Sequence, residues 1–195
     1  MKTTPLISAL IILLASILVY GCYTTTSLRD ETDPDIFASL TEEKLDEDTG
    51  FSYLNGPSLK DPPNGRHRRY YKLKGTIEEN GNLNVQLVLS DRPDAIRGFF
   101  HYHSAETADG TELELVQLDR IVKTRSVDPT NSDSDLASMS DSLSERVGMA
   151  IPLDYLKEQK YQGLKVKVEG KRTTAFLYIP PAYVSGFLSK FENYL

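Results

Sequence analysis

Tryptophan is absent from this chain of 195 residues, cysteine occurs once and histidine three times. One cysteine cannot pair within its own chain, which excludes a small disulfide-stapled scaffold. The few His and Cys show no zinc-ligand spacing, and the chain carries no nucleophile motif and no phosphate-cradling glycine loop. A basic excess is missing too: the formal net charge is −6, which disfavours a nucleic-acid partner. With 39% hydrophobic and 26% charged residues the chain is not disordered throughout, and its length suits one domain with appendages. No internal repeat is present.

What is there begins with an address. Met1-Lys2-Thr3-Thr4 leads into an uncharged run, Pro5 to Tyr20, which reads as a signal-peptide core behind a short positive start. As a helix, Leu6 to Tyr20 would span roughly 22 Å, short of the ~30 Å hydrocarbon core of a bilayer. The run ends in Leu18-Val19-Tyr20-Gly21-Cys22, with an aliphatic residue three before the cysteine and a small one just before it. This pattern resembles the lipobox of bacterial lipoproteins, although Tyr20 is bulkier than the usual occupant of its position. The resemblance implies removal of residues 1–21 and acylation of Cys22, which becomes the mature N-terminus. One acyl chain holds a membrane reversibly, whereas two or three anchor stably at ~0.8 kcal/mol per buried CH₂.

Charge divides the remainder. Residues 23 to 65 hold ten acidic side chains against three basic ones, while residues 66 to 195 are balanced. The acidic composition, with the run Asp61-Pro62-Pro63-Asn64-Gly65, predicts a lipid-anchored flexible tether over 22–65. Its mean reach as a coil would be on the order of 35–40 Å. A softer boundary is also readable, because residues 35–40 can cap and start a helix while Phe51, Tyr53 and Leu54 can dock on the domain.

The globular part is expected over 66–195. Apolar residues alternate at Tyr71, Leu73, Gly75 and Ile77, and again at Leu83, Val85, Leu87 and Leu89. A loop centred on 79–81 pairs Ile77 with Leu83, Leu73 with Leu87 and Tyr71 with Leu89; the alternative two-residue turn would reverse every side chain. Further strands are expected at 96–103, 113–122, 147–151, 164–169 and 173–179, the last two joined tightly at Lys171-Arg172. A short helix near 154–162 ends at Gly163. A C-terminal helix, 181–193, follows paired prolines and carries Val184, Phe187, Leu188 and Phe191 as one stripe. Residues 126–144, with seven Ser and four Asp, read as a mobile surface loop. The expected class is α+β, mostly β: about seven antiparallel strands in a sandwich or curled sheet, plus the two helices.

Candidate binding residues fall in two groups. Arg66, Arg68, Arg69, Lys72 and Lys74 form the densest positive cluster, suited to lipid phosphates, glycan carboxylates or the chain's own acidic segment. The bland alternative is a solvated strand edge that discourages pairing. His101 and His103, at i and i+2, would share one strand face beside Phe99; that spacing can clasp a metal, but no carboxylate follows, and no metal or cofactor is expected. Residues 99–195 also resemble bacterial lipoproteins of no assigned activity. The shared features are Phe100-His101-Tyr102-His103-Ser104-Ala105, Leu118-Asp119-Arg120, and a close running from Ile179-Pro180 through Tyr183 and Gly186 to Leu188. The resemblance carries no site residues. The resulting expectation is a non-enzymatic accessory or protein-binding module of the cell envelope. It would be held in the outer membrane by acyl chains on Cys22 and face the periplasm. The alternative is a lipoprotein that binds a small ligand or glycan.

Overall fold

The computed structural model describes residues 28–46, 51–61, 68–77, 83–93, 98–123 and 142–192. The signal segment, Cys22, Arg66, the 78–82 turn and most of the Ser/Asp-rich loop lie outside these residues. In chain order the elements are α1 (Pro34–Leu40), β1 (Glu42–Leu45), β2 (Ser52–Asn55), β3 (Leu59–Asp61), β4 (Arg68–Ile77) and β5 (Leu83–Arg92). There follow β6 (Tyr102–Thr107), β7 (Glu112–Leu113), β8 (Leu115–Lys123), β9 (Ser142–Ile151), α2 (Leu153–Glu158), β10 (Leu164–Gly170), β11 (Thr173–Ile179) and α3 (Pro181–Glu192).

Period-two alternation builds the centre. β4 and β5 pair antiparallel with Ile77 opposite Leu83, Leu73 opposite Leu87 and Tyr71 opposite Leu89, the register expected from the apolar faces. β9 joins β5, and the larger sheet runs β1-β2-β4-β5-β9-β8 with β3 added on β4. A second sheet runs β11-β10-β6-β7, and every pairing in both sheets is antiparallel. β10 and β11 form the expected tight hairpin, with Gly170 opposite Thr173. The inner faces of both sheets share one buried cluster with α3, whose Val184, Phe187, Leu188 and Phe191 are all buried. The fold is therefore α+β and mostly β, with eleven strands among the described residues where about seven were expected.

Three of the additional strands and one helix come from the segment expected to be a tether. α1 is capped by Asp33, whose carboxylate accepts from Asp35 N at 3.0 Å, and Phe37 packs on Tyr183 with ring centroids 5.0 Å apart. Leu28, Phe37, Leu54 and Leu59 all belong to the core. The described segments 28–46 and 51–61 are thus part of the domain, and a flexible tether reaching to residue 65 is corrected. Composition misled because these strands are three or four residues long and bury one side each at most; β1 buries none. Backbone ladders, from β2 and β3 to β4 and from β1 to β2, hold them with a few inward side chains, and neither raises the apolar content of the segment.

Other boundaries shift for local reasons. The strand expected at 96–103 begins only at Tyr102, because His101 adopts a left-handed backbone (φ 54°) and residues 98–101 lie outside any ladder. The strand expected at 113–122 is divided between β7 and β8. α2 stops at Glu158 rather than 162. Gln159 N bonds both Tyr155 O and Leu156 O, and the chain then turns to Gly163 (φ 80°), whose N–H closes on Gln159 O at 2.7 Å. Ser142 to Ser144, expected in the loop, belong to β9.

Candidate functional site

The outward face of the larger sheet gathers four cations around one groove. On β4 the inward positions are Tyr71, Leu73, Gly75 and Ile77, which leaves Tyr70, Lys72 and Lys74 facing out. The ladders set Tyr70 opposite Ser90, Lys72 opposite Val88 and Lys74 opposite Asn55 and Gln86. On β9, Arg146 stands opposite Ser90. Tyr70, Lys72, Lys74, Asn55, Val88, Ser90 and Arg146 line an open groove of about 390 Å³ together with Ser58 and Arg92. Its four cations are Lys72, Lys74, Arg92 and Arg146, and no carboxylate is among the lining residues.

The cations are held in place. Lys72 Nζ donates to Asn55 Oδ1 at 3.4 Å, Lys74 Nζ lies 4.7 Å from the centre of the Tyr53 ring, and Arg146 Nε meets Asp119 Oδ2 at 3.2 Å. Gln117 Nε2 donates to Arg146 O at 2.8 Å and steadies the same strand pair. Half-burial pushes the Lys72 ammonium below the ordinary lysine value, and the charges of Lys74, Arg146 and Lys44 push the same way. Glu42 opposes them but is itself engaged by Lys44 at 3.3 Å. A half-desolvated ammonium gains from a negative partner, which favours its charged form.

Sequence parity located Lys72 and Lys74 here but not the rest of their cluster. Arg69 shares the inward face of Tyr71: its Nε donates to the fully buried Asp91 Oδ2 at 2.8 Å, and Asp61 lies 3.9 Å away. Its expected role as a surface cation is corrected; a guanidinium is drawn inward because a buried carboxylate needs a counter-charge. Arg68 pairs in the ladder with Arg92, and Arg66 falls outside the described residues. His101 and His103 lie on the other sheet's approach. His101 sits edge-on to Phe99, with ring centroids 6.2 Å apart, and His103 is exposed with Nδ1 3.3 Å from His101 O. They do not share a strand face, since His101 precedes β6.

Arg92, Arg146, Asn55, Ser58 and Ser90 were not singled out from the sequence. Four of them carry only outward parity on strands whose order the sequence does not disclose, and Ser58, in the link between β2 and β3, carries no such signal. The structure also reveals an inner polar cluster. Asp91 and Glu145 stand opposite each other on β5 and β9, both fully buried. Glu145 accepts from the backbone N–H of Phe100 (2.8 Å), His101 (3.1 Å) and Tyr102 (3.4 Å), and from Arg120 Nε (3.1 Å). Tyr102 OH donates to Asp91 Oδ2 at 2.8 Å; burial first, then Asp91, keeps that phenol protonated far above its ordinary range. This cluster clamps the irregular segment that leads into β6. Comparison with known proteins adds no guide: no family model, curated protein or solved structure matches this chain.

Proposed function

We propose that this chain is a lipid-anchored binding protein of the cell envelope, non-enzymatic, whose groove takes an anionic glycan or a comparable carboxylate- or phosphate-bearing small molecule. The observation that carries the reading is the outward groove lined by Lys72, Lys74, Arg92 and Arg146 without a carboxylate. Guanidinium groups suit planar carboxylate or phosphate oxygens, and ammonium groups add point charge. Tyr70, Asn55, Ser58 and Ser90 add an aromatic face and neutral hydrogen-bonding groups of the kind that orient a sugar. Anchorage rests on the resemblance of residues 18–22 to a lipobox, with acyl chains on Cys22 holding the protein in the outer membrane on its periplasmic side.

Calorimetric titration with a galacturonic-acid oligosaccharide, against its neutral galactose counterpart, tests the groove. Binding of the acidic oligomer alone is expected, weakening as salt rises. The pair Lys72→Gln and Arg146→Gln should weaken it more than tenfold, since each charge-assisted bond contributes about 1.5–3 kcal/mol. Equal binding of acidic and neutral oligomers removes the reading.

A second reading, an envelope protein partner, is favoured by β8. It is an end strand of the larger sheet, and Val116, Leu118, Ile121 and Val122 on it are exposed. An edge with no ladder partner among the described residues, carrying apolar side chains, suits strand addition. Crosslinking through a photoreactive group at Ile121 checks this reading: a single captured envelope protein supports it, and no capture removes it.

A further inference from the structure

The distance from Cys22 to the folded body is short. Leu28 is already buried, and Arg29 Nη1 holds Asp61 Oδ1 at 2.9 Å, so the domain takes hold of the chain six residues after the cysteine. Six residues span at most roughly 20–22 Å whatever their conformation. A folded body of this size is roughly 40 Å across. An acylated Cys22 therefore restricts how the domain turns and keeps the side around Leu28 and Arg29 within that reach of the bilayer.

That side can be traced. Asp61, the partner of Arg29, stands opposite Arg69 at the start of β4. Two residues on, Tyr71 OH donates to Tyr178 O at 3.0 Å on the second sheet. Burial raises the pKa of that hydroxyl, and the Arg29 charge opposes the rise. On β11, Ala175, Leu177 and Ile179 are buried, so Phe176 and Tyr178 share the outward face, with Phe176 67% exposed. Gly163 lies against the Tyr178 ring, where a Cβ would come within 2.8 Å of Cε2. Two residues before it stands Tyr161, 80% exposed. Lysines accompany the rings: Lys160 Nζ is 4.9 Å from the centre of Tyr161, and Lys165 Nζ is 6.0 Å from that of Tyr178. Of the acids on the same face, Glu106 and Glu169 are both engaged by Lys167, at 2.9 and 2.6 Å, while Glu112, opposite Glu106 at the far strand β7, is exposed.

We propose that Tyr161, Phe176 and Tyr178, with Lys160 and Lys165, form a membrane-docking face that rests on the bilayer holding the acyl chains of Cys22. The proposal depends on the anchor reading above. Exposed aromatic rings with adjacent lysines suit the interfacial zone, where rings enter the headgroup region and ammonium groups meet lipid phosphates. The acyl anchor raises the local concentration of bilayer, so a patch too small to bind alone is sufficient to set orientation.

The absence of tryptophan supplies a clean probe. The full-length lipidated protein carrying Phe176→Trp is reconstituted into vesicles of phosphatidylethanolamine with a minority of phosphatidylglycerol, with and without brominated acyl chains. Tyr161→Trp serves as a second reporter. Leu45→Trp is the control: Leu45 is 64% exposed and pairs through Ser52 with Ile77, eight residues along β4 from Arg69. That separation is roughly 27 Å. The expected result is about twofold or greater quenching at positions 176 and 161, with the control unchanged. Acyl mass on Cys22 without quenching at either position overturns the docking face and leaves the anchor standing. An unacylated Cys22 overturns the anchor, and the docking face falls with it.

Discussion

Glu145 accepts three successive backbone N–H groups and a guanidinium while fully shielded from water, so one side chain sets the path of residues 100–102. Removing one partner of a buried charged set costs more than the set contributes, because the others stay buried and unpaired. Glu145→Ala should therefore destabilise by ~3–5 kcal/mol, read as a lower urea midpoint, with Glu145→Gln intermediate because it keeps an acceptor oxygen. Lys72 gives a pH prediction. Its pKa lies below the ordinary 10.5, chiefly through desolvation, and a bound anion favours the protonated form. Affinity for the acidic oligosaccharide should be full at neutral pH and fall as pH rises through that lowered value; Lys72→Arg should extend binding to higher pH. Calorimetry across pH checks both. The parity that turned Lys72 and Lys74 outward also turned Arg69 inward. The sequence held that signal, but its meaning needed Asp91, which lies on the neighbouring strand.

α3 and α1 act as one packed unit. Gly186 of α3 lies so close to Pro34 O and Ala38 N of α1 that a Cβ has no room there. Phe187 and Phe37 are both fully buried in the core. Phe187→Ala and Phe37→Ala should each cost ~3–5 kcal/mol through lost burial and the cavity left behind. Ser189→Ala, on the exposed side of α3, should change stability by under ~0.5 kcal/mol. Denaturant melts of the three variants check this pattern; equal stability of Phe37→Ala and the parent would return the segment to a tether. The stripe on α3 was legible because helical period and burial agree. α1 was legible only as a capping pattern: the partner that buries Phe37 is Tyr183, some 146 positions further along the chain.

For the whole molecule, the proposed anchor predicts membrane-extracted protein lacking residues 1–21 and bearing acyl mass on Cys22. Cys22→Ser should abolish both, as mass spectrometry will show. Residue 23 is Tyr rather than the Asp that resembles an inner-membrane retention signal. Fractionation of a two-membrane cell should therefore recover the protein with the outer membrane; recovery with the inner membrane refutes that placement. The folded N-terminal segment gives a further expectation: deleting residues 24–45 should lower the melting temperature sharply, because it removes Leu28, α1 and the β1 edge.

By itself, the sequence determined the alternation that builds β4 and β5, their register, the β10–β11 hairpin and the buried stripe of α3. Each depends on a local period that a single chain segment can express. Only the tertiary structure decided what the acidic segment does, since β2 and β3 exist through backbone ladders to β4, and β1 through its ladder to β2, rather than through their own apolar content. It also decided the groove, because Lys72, Arg92 and Arg146 meet through the order of β4, β5 and β9, and strand order leaves no mark on local composition.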